Sequence, residues 1–246
     1  MRTLWLRVRA PFAAFRWLQA GVYRATSPII PPSAAWGLAL NLAHIETRSD
    51  RTDTVVTDIR PDAPPLCIAV GQIAPSPVAS IYQQLHSYPV GASGKQLAPR
   101  TRGAKYWIAP VRREVLIDLD CIIGLRSRTN NRDSEPSSRL LDRIPVGLAG
   151  TLDRSRYGLP FAGDNNFFID RIDILDTPRP ACWYTRLASG QVPPRGSCRL
   201  TVAIDRNNSS RTNRPLFAPS ERVAEPPERA WTWCPRPPRQ TQLNIE

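Results

Sequence analysis

The sequence predicts an α+β fold whose elements run βαββαβ, with a basic protrusion between the middle strands. Three features predict it. Apolar and polar residues alternate with period two near the amino terminus and again over Glu114–Arg126. Pro31-Pro32-Ser33 opens an apolar stretch with helical spacing. Around Arg100 and Arg102 the chain is basic, with no carboxylate nearby.

The elements follow in order. Leu4, Leu6 and Val8 alternate with Trp5, Arg7 and Arg9, which predicts a half-buried strand ending at Pro11 and presenting cations and an indole on its outer face. In AAWGLALNLAHI, Ala35, Leu38, Leu42 and Ile45 form one helical stripe. Gly37 weakens the helix but permits close approach of another backbone, and the helix amino terminus is a natural phosphate seat. Cys67–Ile73 reads as a short strand. Ser80–Lys95 begins as a helical turn and ends in a glycine-rich loop, and Lys105-Tyr106-Trp107 leads into an extended segment broken at Pro110.

Val115, Ile117, Leu119, Cys121, Ile123 and Leu125 make the clearest strand. Its other face carries Asp118 and Asp120, a DxD pair that in a regular alternation reads as a solvated face rather than a metal site. Ser134–Ile144 reads as a short helix with a serine or acid cap. Tyr157–Leu175 is a glycine-punctuated loop feeding a strand. Cys182–Leu187 and Leu200–Asp205 are expected to pair as a hairpin. Trp231 and Trp233 sit in a proline cluster at 215–238, which predicts an irregular tail on the body or on a partner. The expected organisation is a domain over 1–214 and a Pro-rich tail over 215–246. The βαββαβ order is the ferredoxin-like, RRM-like plan of many RNA-binding modules.

Composition narrows the function. The chain has 246 residues and net charge +12, and Lys95 and Lys105 are the only lysines among its 33 basic residues. Arginine makes bidentate contacts to phosphate and stacks on bases, although GC-rich coding also enriches it. The charge implies a polyanionic partner. Up to Glu46 there is no acid, and Arg2, Arg7, Arg9, Arg16 and Arg24 are interleaved with Trp5, Phe12, Phe15, Trp17, Tyr23 and Trp36, the chemistry that holds single-stranded nucleic acid. An organelle transit peptide is the alternative for this stretch. A secretory signal is not, because arginines interrupt each apolar run, and no run nears the ~20 residues of a membrane span. Five cysteines without a CxxC pair, beside only two histidines, read as reduced thiols in a cytoplasmic protein without a metal site or cofactor.

The stretches APFAAFR (10–16), PPSAAWGLALNLAHIE (31–46), SIYQQLHSYPVGASGK (80–95) and YGLPFAGDNNFFIDRIDIL (157–175) occur in a family-like order, joined by LTVAIDR (200–206) and LFAPSE (216–221). Together they resemble the fifth family of CRISPR-associated proteins, RAMP-type subunits of Cascade complexes, and within it the DevS-like branch of the MYXAN variant allied to type I-B. The resemblance implies a subunit that caps the 5′ handle of the CRISPR RNA between a ferredoxin-like palm and a β-hairpin thumb. It implies contacts with the large subunit and the first backbone subunit, target DNA reached indirectly through the complex, and no membrane. It places the thumb within about 80–112, and leaves immunity and guided transposition both open.

One branch of that family cleaves precursor RNA with a Tyr/Lys/His set, and His86, Tyr88 and Lys95 lie in one segment here. Handle binding explains them equally, so the expectation is a non-catalytic subunit. A handle-processing endoribonuclease and an unrelated rRNA-binding protein are the alternatives. The candidate RNA-binding residues are Arg7, Arg16 and Arg24 on or after the first strand, and Ser33 and Trp36 at the helix start. His86, Tyr88, Lys95, Arg100, Arg102 and Lys105 lie on the expected thumb, and Arg126, Arg128, Arg154 and Arg156 follow later in the chain. For each of them the competing reading is a solvated or packing side chain.

Overall fold

Long-range antiparallel pairing organises the chain. The computed structural model describes residues 2–17, 22–49, 59–86, 108–127, 136–153, 158–206 and 208–237. Its strands are β1 (Thr3–Ala13), β2 (Tyr23–Arg24), β3 (Leu66–Ala74), β4 (Val78–His86), β5 (Ile108–Arg126), β6 (Arg171–Leu175), β7 (Ala181–Arg186), β8 (Cys198–Arg199), β9 (Leu216–Val223) and β10 (Thr232–Cys234). Two α-helices, α1 (Pro32–Leu42) and α2 (Pro136–Leu148), interrupt them. All ten strands join one sheet in the order β6-β1-β5-β3-β7-β9-β8. Off this path, β10 pairs with β3, and β2 and β4 pair with β5. The molecule is therefore α+β with a large, mainly antiparallel sheet.

Strand parity sorts the core into two layers. Leu4, Leu6 and Val8 of β1, Leu119, Cys121, Ile123 and Leu125 of β5, and Leu66, Ile68 and Val70 of β3 pack with α1 and α2 in the main core. Side chains of opposite parity, Trp5, Ile122 and Ala69, enter a second cluster with Trp183 and Ala230. Trp5 is thus buried rather than presented, because Trp183 and Trp231 lie against it with ring centroids 5.9 and 5.8 Å away. Glycine clears room for these indoles. A Cβ on Gly124 would lie 2.5 Å from the Trp5 ring and 2.7 Å from that of Trp231, and one on Gly71 would lie 2.8 Å from Trp183.

Several expectations are corrected. Pro11 lies inside β1, not at its end. β6 pairs only with Trp5–Arg9, so the missing Pro11 N–H costs no hydrogen bond on that side. Residues 80–86 are strand instead of helical turn, because they pair with Ile108–Glu114 in a two-stranded ribbon. The expected hairpin between 182–187 and 200–205 does not form. β9 inserts between β7 and β8, and 200–205 is held mainly by an Ala203–Asn213 bridge. Residues 216–223 and 232–234, read as irregular tail, are strands: Pro219 lies in β9 opposite Tyr184, beside a register shift in the β7–β9 ladder, and the other described prolines of the segment fall outside the strands. Nothing approaches Gly37 within 4 Å of an added Cβ, so it serves no close backbone contact.

The two aspartates of the DxD pair are separated by conformation and partner. Asp118 is left-handed, with φ 52°, while Asp120 is ion-paired to Arg7. The helix over Pro136–Leu148 forms as expected, but its cap residues fall outside the described residues. All five cysteines are free, and burial pushes the Cys67 thiol up to about 11 and that of Cys198 up to about 12, which keeps both protonated at neutral pH. No described helix is long and apolar enough to cross a membrane.

Candidate nucleic-acid interface

The end of β1, the short strand β2, the start of β5 and the loop at 158–169 meet at one junction. β2 runs parallel to β5, placing Tyr23 beside Arg112 and Arg24 beside Arg113. Arg16 bridges to Thr26, and the Phe15 N–H donates to Thr26 Oγ1 at 2.9 Å. The loop is pinned across β1 where the Ala14 N–H donates to the Ala162 carbonyl at 3.0 Å. Gly163 makes this crossing feasible: its φ is +82°, and a Cβ there would collide with the Ala14 carbonyl oxygen. The loop closes on itself through a Phe161–Phe168 bridge and an Ala162 N–H to Phe167 carbonyl bond of 2.7 Å.

Three guanidiniums converge here. Arg113 is buried at an inward-facing position of β5 and pairs with Asp164 Oδ2 at 2.7 Å, its Cζ 5.7 Å from the Phe167 ring centre. Burial, with the like charges of Arg16 and Arg113, holds the Arg24 guanidinium below its ordinary value despite Asp164. Arg24 Nε is buried without a hydrogen-bond partner. The second carboxylate at the junction, Glu114, is already engaged, accepting from the Tyr23 hydroxyl at 2.5 Å and from the Thr26 N–H at 3.0 Å. A buried guanidinium crowded by like charges is relieved by an anion, and a phosphate supplies both the charge and the acceptor oxygens.

Flat rings border these cations. Phe12, Tyr23, Phe161 and Phe168 stay about half exposed, and Phe12 lies 6.2 Å from Phe167 between ring centres. Cations among exposed aromatics can take phosphates and bases of one strand together. The β4/β5 ribbon rises from the same place, with Val78, Ile81 and Tyr82 exposed along it.

No family model matches the sequence, and no curated protein does. Solved structures do. A chain described as a CRISPR RNA-guided surveillance complex aligns with TM-score 0.51 at 16% identity, over 93% of this chain and 96% of that one. The likeness is one of fold. Two further chains, described as a CRISPR-associated protein and a Cas protein, align with TM-scores 0.37 and 0.42, each at 12% identity, over 71% and 91% of this chain and 67% and 100% of theirs.

The candidates named from sequence divide sharply. Arg16 and Arg24 meet at the junction. Arg7 instead grips Asp120 through Nε at 2.8 Å and Nη2 at 2.6 Å. Arg126 stacks on Trp231, 3.6 Å from the ring centre, and donates to Thr3 Oγ1. Trp36 is buried and donates through Nε1 to the Pro64 carbonyl, so its ring belongs to the core and offers no face to a base. The Ser33 N–H donates to the Thr201 carbonyl and those of Ala34 and Ala35 to Pro31, which occupies the expected phosphate seat on α1. Tyr88, Lys95, Arg100, Arg102, Lys105, Arg128, Arg154, Arg156 and the His86 side chain lie outside the described residues.

Arg113 escaped the sequence reading. Its signal was present: it keeps the inward parity of Val111, Val115 and Leu119, and a cation at such a position demands a partner or a role. Among the described residues no cluster of metal-ligating side chains occurs.

Proposed function

We propose that this chain is a non-catalytic CRISPR-associated subunit that holds the 5′ handle of a CRISPR RNA at the Arg16–Arg24–Arg113 junction. The crowding of Arg24, buried at Nε without a partner and flanked by two further guanidiniums, carries the reading. The fold likeness to a surveillance-complex chain supports it, as does the net charge of +12. In this proposal β6-β1-β5-β3, with α1 following β1 and α2 following β5, forms a ferredoxin-like palm. The β4/β5 ribbon is the base of the thumb, and the handle passes between them. The large subunit and the first backbone subunit bind around this end of the RNA, and target DNA is reached through the assembled complex in the cytoplasm. The family-five, DevS-like, type I-B assignment belongs to the same proposal.

Fluorescence anisotropy with a labelled CRISPR repeat tests it. Wild-type protein is expected to bind the repeat more tightly than an unrelated RNA of equal length. Arg24→Gln is expected to weaken binding and to lower the slope of log K against log salt by about 0.7, the share of one single-strand phosphate. Equal affinity for both RNAs, or an unchanged slope, would remove the reading. Cleavage of precursor RNA by the purified chain would replace the non-catalytic role with an endoribonuclease.

A further inference from the structure

A second concentration of arginine lies far from the first, at the other end of the sheet. Arg186 ends β7, Arg199 ends β8, and Arg214 lies two residues before β9, the strand between them. Together with Thr212, Asn213 and Pro215 they line an open cavity of about 410 Å³. At ~4.8 Å per strand, β8 lies four strands and roughly 19 Å along the sheet from β5.

The cavity is built for an anion. Its lining contains no carboxylate. Among the described residues, none of the three arginines makes an ion pair, whereas Arg7, Arg9, Arg113 and Arg171 all do. Arg199 spends Nη1 on the Arg214 carbonyl at 3.1 Å, which ties the Arg199 side chain of β8 to the turn before β9. Asp205, in the neighbouring loop, accepts the Asn208 N–H at 2.8 Å, while its own N–H binds Thr212 Oγ1 at 3.2 Å. Three guanidiniums carried on adjoining strands and the turn before β9, lining one cavity with Thr212 and Asn213, match the oxygens of a phosphodiester.

We propose that this cavity is a second phosphate-binding site, which takes the backbone of a nucleic-acid strand separately from the first junction. A nucleic acid fits better than an acidic protein segment. Protein partners derive affinity from buried apolar anchors, and this lining offers only Pro215. Backbone contacts of this kind add affinity and salt dependence without reading sequence.

The test uses the full chain with three probes: a CRISPR-repeat RNA, an unrelated RNA and a duplex DNA, each titrated over a salt series. The variants are Arg186→Gln and Arg199→Gln/Arg214→Gln. Arg186→Gln removes charge without removing a hydrogen bond seen among the described residues, and thermal melts check that both variants fold. The double variant is expected to lower the salt slope by about 1–2 on at least one probe class, and Arg186→Gln by about 0.7–0.9 on the same class. The class affected identifies the strand as RNA or DNA. The preference for repeat over unrelated RNA is expected to stay at the wild-type ratio. Unchanged slopes on all three probes would overturn the second site. So would loss of the repeat preference in the double variant, since the cavity would then be part of the first site. A wild-type chain with no repeat preference would instead count against the handle reading, so the two failures are distinguishable.

Discussion

Arg113 and Asp164 form one ion pair that bears on both stability and the proposed RNA binding. The guanidinium is held in the interior by a carboxylate that still meets water, at 7% and 20% side-chain exposure. Asp164→Asn leaves that buried cation uncompensated, at a cost of about 3 kcal/mol, near the low end for buried pairs because Asp164 is partly solvated. The same change raises the positive potential around Arg16 and Arg24. The expected result is therefore split: a lower urea midpoint and tighter RNA binding at equal salt. A variant that loses both stability and affinity would mean that Asp164 supports the RNA directly. Asp173 gives a pH signature. Hydrogen bonding from Arg171, helped by Arg9, holds its carboxyl below the usual range, so its stabilisation is present above about pH 4 and disappears as pH falls through the folded value. Urea midpoints of wild type and Asp173→Asn are expected to differ at neutral pH and to converge in acid. Such pairs were illegible in the chain. Arg7 meets Asp120 and Arg9 meets Asp173 across more than 100 residues, so arginines that read as free cations are neutralised by partners that only the fold brings near.

At the scale of elements, glycine positions carry opposite predictions. Gly124 lies under Trp5 and Trp231, and Gly124→Ala forces the buried Trp5 ring and the partly buried Trp231 ring apart at a cost of about 2–3 kcal/mol. Gly37 sits inside α1 with open space around it, so Gly37→Ala is expected to stabilise by about 0.5–1 kcal/mol. Thermal melts of the two variants check both signs. The first and fifth strands and both helices were legible because the side chains they turn to the main core recur with a clean period, although β1 and β5 also bury Trp5 and Ile122 on the opposite face. β4 was not: Ser80–His86 has no strict alternation, and much of its exposed length is held by pairing to β5 rather than by core burial. The β7–β9–β8 arrangement was hidden for another reason. Neighbouring strands usually pair, whereas here β9 enters between two strands that precede it in sequence. The tryptophans of the Pro-rich segment were read as part of an irregular tail on the body or on a partner, and Trp231 in fact helps to seal the sheet face opposite the helices.

For the whole molecule, the net charge of +12 was readable from composition and sets the class of partner. Its distribution was not readable, because folding cancels some arginines and gathers others into two groups on one sheet. Arg16 and Arg24 were named from the sequence as RNA-binding candidates and the fold brings them together, but the residue that crowds Arg24, Arg113, lies 89 positions after it and joins them only through the β2–β5 pairing. The central claim is that this crowded junction grips the leading nucleotides of a guide RNA. A structure of the particle reconstituted from this chain, its guide RNA and neighbouring subunits tests it most directly. The account predicts backbone phosphates of the 5′ end within hydrogen-bonding distance of Arg16, Arg24 or Arg113, with bases against Phe12, Phe161 or Phe168. A particle in which those side chains face solvent and another polypeptide holds the 5′ end would contradict it.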